Sequence, residues 1–136
     1  MGADLYIKNM DREKQHRGFE VSENAVNVGY FRDCYNSGGL FAVMNQLLGC
    51  KLSWWQTVER DDLFETDTDG EQYMSVEGAK KWLAEIEPLL IQFQQLPAFR
   101  KENDPVDSAR YRKWAGLLLQ FLRLAIEKES PILFSV

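Results

Sequence analysis

The stretch Ser75-Val76-Glu77-Gly78-Ala79-Lys80-Lys81-Trp82-Leu83-Ala84-Glu85-Ile86-Glu87-Pro88-Leu89-Leu90-Ile91-Gln92-Phe93-Gln94-Gln95-Leu96 decides the fold class this sequence suggests. Val76, Ala79, Leu83, Ile86, Leu90 and Phe93 recur at steps of three and four, the period of a helix with one apolar face. Ser75 is suited to accept the first free backbone N–H groups as N-cap. Pro88 lies inside the pattern, where it removes a donor and crowds the preceding turn. Because the apolar stripe continues past it, a kink near Glu87 is expected rather than a break.

Downstream, Asp104 and Pro105 form a start signal, and Tyr111, Trp114, Leu117, Leu118, Phe121, Leu122 and Ala125 share one face of a helix to about residue 128. A link as short as 97–104 folds two such helices into an antiparallel hairpin. Upstream, Leu40, Phe41, Met44, Leu47 and Leu48 make an apolar stripe closed by Gly49, while Asn36-Ser37-Gly38-Gly39 mark a loop before it. A polar helix is expected over 11–28. Residues 3–8 place Leu5 and Ile7 on one side and Asp4, Tyr6 and Lys8 on the other, and 131–136 align Ile132, Phe134 and Val136. The two ends are therefore expected to pair as strands. The expected fold is mainly α: one compact helical domain over 1–136, a hairpin at about 75–96 and 105–128, and a small two-stranded sheet of the N- and C-termini.

The chain has 136 residues, 45% of them hydrophobic, enough for one packed core. Its net charge of −5 argues against a dedicated nucleic-acid binder, which needs a dense basic face. The basic group Arg110, Arg112 and Lys113 is too small to reverse that expectation. No apolar run approaches a membrane span, and no secretory signal or myristoylation pattern opens the chain, so a cytoplasmic protein is expected. Cys34 and Cys50 sit among apolar neighbours and read as reduced, buried thiols. The single histidine, His16, stands in a polar stretch and reads as a solvated side chain.

Two constellations could carry chemistry. Residues 65–77 resemble a calcium loop through Asp67, Asp69 and Gly70, but Glu65 opens it and Val76 occupies the position of the bidentate carboxylate. A solvated Asp-Gly turn leading into the Ser75 cap is the expected structure there, and no metal site is assigned. The second is Gly29-Tyr-Phe-Arg-Asp-Cys-Tyr-Asn36 followed by Ser53-Trp-Trp-Gln56. Arg32, Asp33, Tyr35, Asn36, Trp54 and Trp55 combine apolar walls with a few polar groups, the composition of a ligand pocket. The same set could instead form a core seam in which an Arg-Asp pair and tyrosine hydroxyls satisfy one another. Zinc, phosphate-loop and serine-hydrolase templates are missing, so no catalytic residue and no cofactor is implied.

The blocks Met1-Gly-Ala-Asp-Leu-Tyr-Ile7, Gly29-Tyr-Phe-Arg-Asp-Cys-Tyr-Asn36 and Leu52-Ser-Trp-Trp55 resemble a family of uncharacterised, mainly bacterial proteins that open with MGADLYI and carry GYFRDxYN and LSWW. The resemblance implies no activity. It directs attention to the same six residues.

Charge is unevenly distributed. Residues 59–87 hold ten acidic and three basic side chains, a net of −7, against +2 for the remainder. The leading expectation is a non-enzymatic interaction or accessory module that meets a basic protein partner through this acidic stretch. The alternative is a small-ligand or enzymatic pocket around Arg32, Asp33, Tyr35, Asn36, Trp54 and Trp55.

Overall fold

A computed structural model describes residues 2–10, 22–97 and 107–136. In chain order they form β1 (Gly2–Ile7), α1 (Glu23–Asn27), β2 (Tyr30–Cys34), α2 (Leu40–Leu48), α3 (Trp54–Val58), β3 (Phe64–Thr66), β4 (Gln72–Met74), α4 (Val76–Gln94), α5 (Asp107–Glu127) and β5 (Ile132–Ser135). The strands make one antiparallel sheet in the order β2-β1-β5-β4-β3.

The fold is therefore α+β, which corrects the expected mainly α domain with a two-stranded sheet. The termini do pair, Leu5 opposite Phe134 and Ile7 opposite Ile132, but β1 and β5 lie in the interior of a sheet of five strands. Two physical reasons hid the rest. In β2 the interior face is carried by Phe31 and by Asp33, a fully buried carboxylate, so the alternation does not show as a hydrophobic pattern. Strands β3 and β4 have three residues each and lie in an acidic stretch, too short for periodicity to register although Phe64, Thr66 and Tyr73 favour strands.

The helix readings need smaller corrections. Ser75 caps α4 by accepting from the Gly78 amide, and α4 continues through Pro88 to Gln94. Ala84, whose carbonyl loses its partner to Pro88, is exposed, so water can satisfy it. The stripe is rotated slightly: Trp82 is buried and Leu83 only half-buried. In α2, Leu47 is 39% exposed rather than part of the core face. Helices α4 and α5 pack antiparallel, with Gln94 near Arg112 and Glu87 near Arg123. The expected start at Asp104-Pro105 and residues 11–21 of the helix expected over 11–28 lie outside the described residues, as does His16; the rest of that stretch forms the short α1.

All the larger helices pack on one face of the sheet. Ala3, Leu5, Ile7, Phe31, Phe64, Met74 and Ile132 meet Phe41, Trp54, Trp82, Phe93, Trp114 and Phe121 in one core. The opposite face carries a ladder across all five strands, Tyr30–Tyr6–Leu133–Tyr73–Glu65, each pair in direct cross-strand register. Both edges of the sheet are guarded against pairing with another chain. The Trp114 indole donates to the Arg32 carbonyl on β2 at 2.9 Å, and β3 is short and charged.

Candidate functional site

The six residues singled out in the sequence do not form one site. Alternation along β2 sends Arg32 and Asp33 to opposite faces of the sheet, so they cannot pair with each other. Asp33 enters the core, fully buried, and its carboxylate meets four donors. Oδ1 accepts from the Cys34 amide at 2.8 Å and the Leu40 amide at 2.7 Å, and Oδ2 from the Phe41 amide at 3.2 Å and the Trp54 indole at 2.7 Å. Helix α2 has Gly39 at its N-cap and no side-chain cap of its own. Asp33 supplies that cap from a neighbouring strand, where its negative charge also meets the positive end of the helix. Burial pushes the Asp33 carboxyl up, and the Trp54 indole and the three amides oppose that shift.

Gly39 is required by this arrangement. A Cβ there would stand 2.1 Å from the Cys34 carbonyl oxygen and 3.1 Å from Asp33 Oδ1. Trp54 is clamped from its other sides, stacked on Phe41 with centroids 4.0 Å apart and edge-on to Trp82 at 5.8 Å. Its helix, α3, is delivered by Asn45, which donates to the Leu52 carbonyl at 2.8 Å and accepts from the Leu52 amide at 2.7 Å. Asn45 has the same structural rank as Asp33 and went unnoticed in the sequence. Its one signal there is that it stands, next to Gln46, among apolar residues of the helix.

Arg32, on the other face, pairs with Asp4 at 3.2 Å, and Asp4 also accepts from the Tyr30 hydroxyl. Burial, with Asp4 beside it, pushes the Tyr30 hydroxyl well above its ordinary range. A phenol held protonated in this way serves as a donor to Asp4 and not as a base.

Tyr35, Asn36 and Trp55 form the third group, at the surface. Trp55 is 54% exposed and packs against Tyr35 with centroids 5.6 Å apart. Asn36 Oδ1 accepts from the Gly38 amide at 2.8 Å and so shapes the turn that leads to Gly39. Nearby, Cys34 is half-buried and free, as is Cys50 elsewhere in the chain, which corrects their reading as buried thiols. Burial raises both thiols above their ordinary range, away from nucleophilic chemistry.

Two shallow grooves take none of the six residues into their walls. One of about 570 Å³ runs along α5 between Asn27 and Gln94, and one of about 310 Å³ lies between α3 and α4.

The calcium-like stretch folds as the β3–β4 hairpin. Asp67 spends Oδ1 on the amides of Asp69 and Glu71, both at 2.9 Å, and Oδ2 on Lys8 at 3.2 Å. The Glu71 amide and Lys8 hold the Asp67 carboxyl below the usual carboxylate range. Among the described residues, no three His, Cys, Asp or Glu side chains converge in a way that could hold a metal ion.

The acidic stretch divides in two. Arg60 forks to both Glu85 and Asp62, Lys81 joins Asp62 at 2.6 Å, Lys80 meets Glu77, Lys8 meets Asp67, and Arg123 meets Glu87. Glu59, Asp61, Glu65, Asp69 and Glu71 are exposed and have no ion pair among the described residues. Glu65, Asp69 and Glu71 lie on β3 and its hairpin turn, at one edge of the sheet, Asp61 lies in the turn before β3, and Glu59 is the C-cap of α3.

Comparison with protein-family models, curated proteins and solved structures finds no match to this chain. No helix among the described residues is long and apolar enough to cross a membrane.

Proposed function

We propose that this protein is a non-enzymatic interaction module whose acidic sheet edge docks on a basic surface of a partner protein in the cytoplasm. The observation that carries this reading is the partition of the acidic stretch. Cations of the chain neutralise Asp62, Asp67, Glu77, Glu85 and Glu87, while Glu65, Asp69 and Glu71 stay unpaired on the β3–β4 hairpin, with Asp61 before it and Glu59 at the end of α3. Unpaired like charges on an exposed hairpin keep their hydration and their field, and that field steers association with a cationic patch.

The competing pocket reading loses its best residues to architecture. Asp33 and Trp54 bind each other inside the core, and Arg32 is engaged by Asp4 on the far face. The family resemblance fits this reading, since its three blocks supply β1, the Asp33 strand and the Trp54 helix, the parts that assemble the fold.

The test is affinity capture from lysate of the native host with wild type and with Glu65→Lys/Asp69→Lys/Glu71→Lys, at low and high salt. A specific protein retained by wild type at low salt, released by high salt and not retained by the triple variant is expected. Retention of the same protein by both forms, or of none by either, contradicts the proposal.

A further inference from the structure

We propose that the groove between α3 and α4 binds a small apolar carboxylate, whose oxygen accepts from the Trp82 indole N–H and whose charge meets Lys51. The observation that points to it is a buried donor without an acceptor. Three tryptophans are buried, and two of them use the indole N–H inside the protein, Trp54 on Asp33 and Trp114 on the Arg32 carbonyl. Trp82 is the most enclosed of the three, 2% exposed, yet its N–H donates to no group among the described residues. A buried indole ordinarily finds such a partner. Nor is this nitrogen sealed from solvent, and Trp82 forms part of the wall of the groove of about 310 Å³, so the N–H opens there. The ring is held in place from the core side, with the centroids of Trp54, Phe41 and Phe134 at 5.8, 6.4 and 5.8 Å. The donor is therefore fixed before any ligand arrives.

The rest of the wall sets the class of ligand. Leu52, Ile86 and Leu89 supply apolar surface, and Lys51, also in the wall, is exposed and has no carboxylate partner among the described residues. Glu85 is the one acid among the described residues of the wall, and Arg60 beside it forks onto both its oxygens at 2.9 Å, so its charge is answered within the protein. The nearby acids Glu59, Asp61 and Asp62 do not line the groove. An apolar body ending in one negative acceptor uses all of these features. A cationic ligand would meet Lys51, a neutral apolar one would cover the indole N–H and leave it unpaired, and a phosphate would bring more charge than one free cation answers. The volume is at the small end of ligand pockets, which limits the body to a ring or a short branched chain.

The experiment is a titration of the 15N-labelled protein with 3-phenylpropionate, followed at the indole N–H resonances. A dissociation constant on the order of 1 mM is expected for a probe of this size. The Trp82 resonance should move, while that of Trp114, whose proton is held by the Arg32 carbonyl, should not. 3-Phenylpropionamide, which lacks the charge, and acetate, which lacks the apolar body, should each bind about fivefold more weakly or worse. Lys51→Gln, a change at an exposed side chain, should weaken 3-phenylpropionate about two- to fivefold at unaltered melting temperature. A Trp82 resonance that stays in place, binding of the amide equal to that of the acid, or binding unchanged in Lys51→Gln overturns the inference. The titration does not involve the acidic hairpin, so its outcome is separate from that of partner capture.

Discussion

Asp33 faces four N–H donors in the core, and that count fixes which side chain can stand there. A carboxylate accepts at every lone pair, whereas an amide of the same shape turns an NH2 group toward two of the donors. Asp33→Asn relieves the burial of a charge yet leaves donors opposed and unpaired, and the second effect is the larger in a site closed to bulk solvent. We expect a loss of about 2–4 kcal/mol in urea unfolding, with the fold retained. Asp67 provides the opposite case, a surface acid with a pH signature. Its native carboxyl is held below the ordinary value, so its contribution is present above about pH 4 and fades as pH falls through the depressed value. Asp67→Ala should lower the melting temperature by a few degrees at pH 7 and converge with wild type in acid. Coincident pH profiles for the two proteins would refute this assignment.

At the scale of elements, two substitutions in α4 separate packing from propensity. Gly78 faces the Leu63 backbone, and a Cβ would lie 2.2 Å from the Leu63 carbonyl oxygen. Gly78→Ala gains helix propensity of about 1 kcal/mol but must push the helix off that carbonyl, so a net loss of about 1–3 kcal/mol is expected by calorimetry. Pro88→Ala should go the other way. It restores a donor for the exposed Ala84 carbonyl and removes a ring from a helix interior, and that gain exceeds the roughly 1 kcal/mol lost as the unfolded chain becomes freer. The long helices were legible because their apolar stripes repeat over several turns. The sheet was legible only at its ends, since β2 buries a carboxylate and β3 and β4, too short to show a period, are held by pairing with each other and of β4 with β5. The residue types of the candidate site were legible in the sequence. Their grouping was not, because neighbours in a strand point apart and the partner that matters to Arg32, Asp4, lies on another strand.

For the whole molecule, the net charge of −5 conceals an arrangement. The unpaired acids Glu65, Asp69 and Glu71 gather at the β3–β4 hairpin, while the opposite edge strand, β2, is tied into the core by Asp33 and Trp54. If the acidic edge is the docking surface, long-range attraction should be concentrated there and screened beyond a separation of about 10 Å at 0.1 M salt. The most direct measurement is a titration of the 15N-labelled protein with a short lysine- and arginine-rich peptide, followed by amide chemical shifts at low salt and again at high salt. Shifts confined to residues 59–71, abolished by salt and by Glu65→Lys/Asp69→Lys/Glu71→Lys, are the predicted result. Shifts spread evenly over all exposed acids, including Glu77, Glu85 and Glu87, would contradict it.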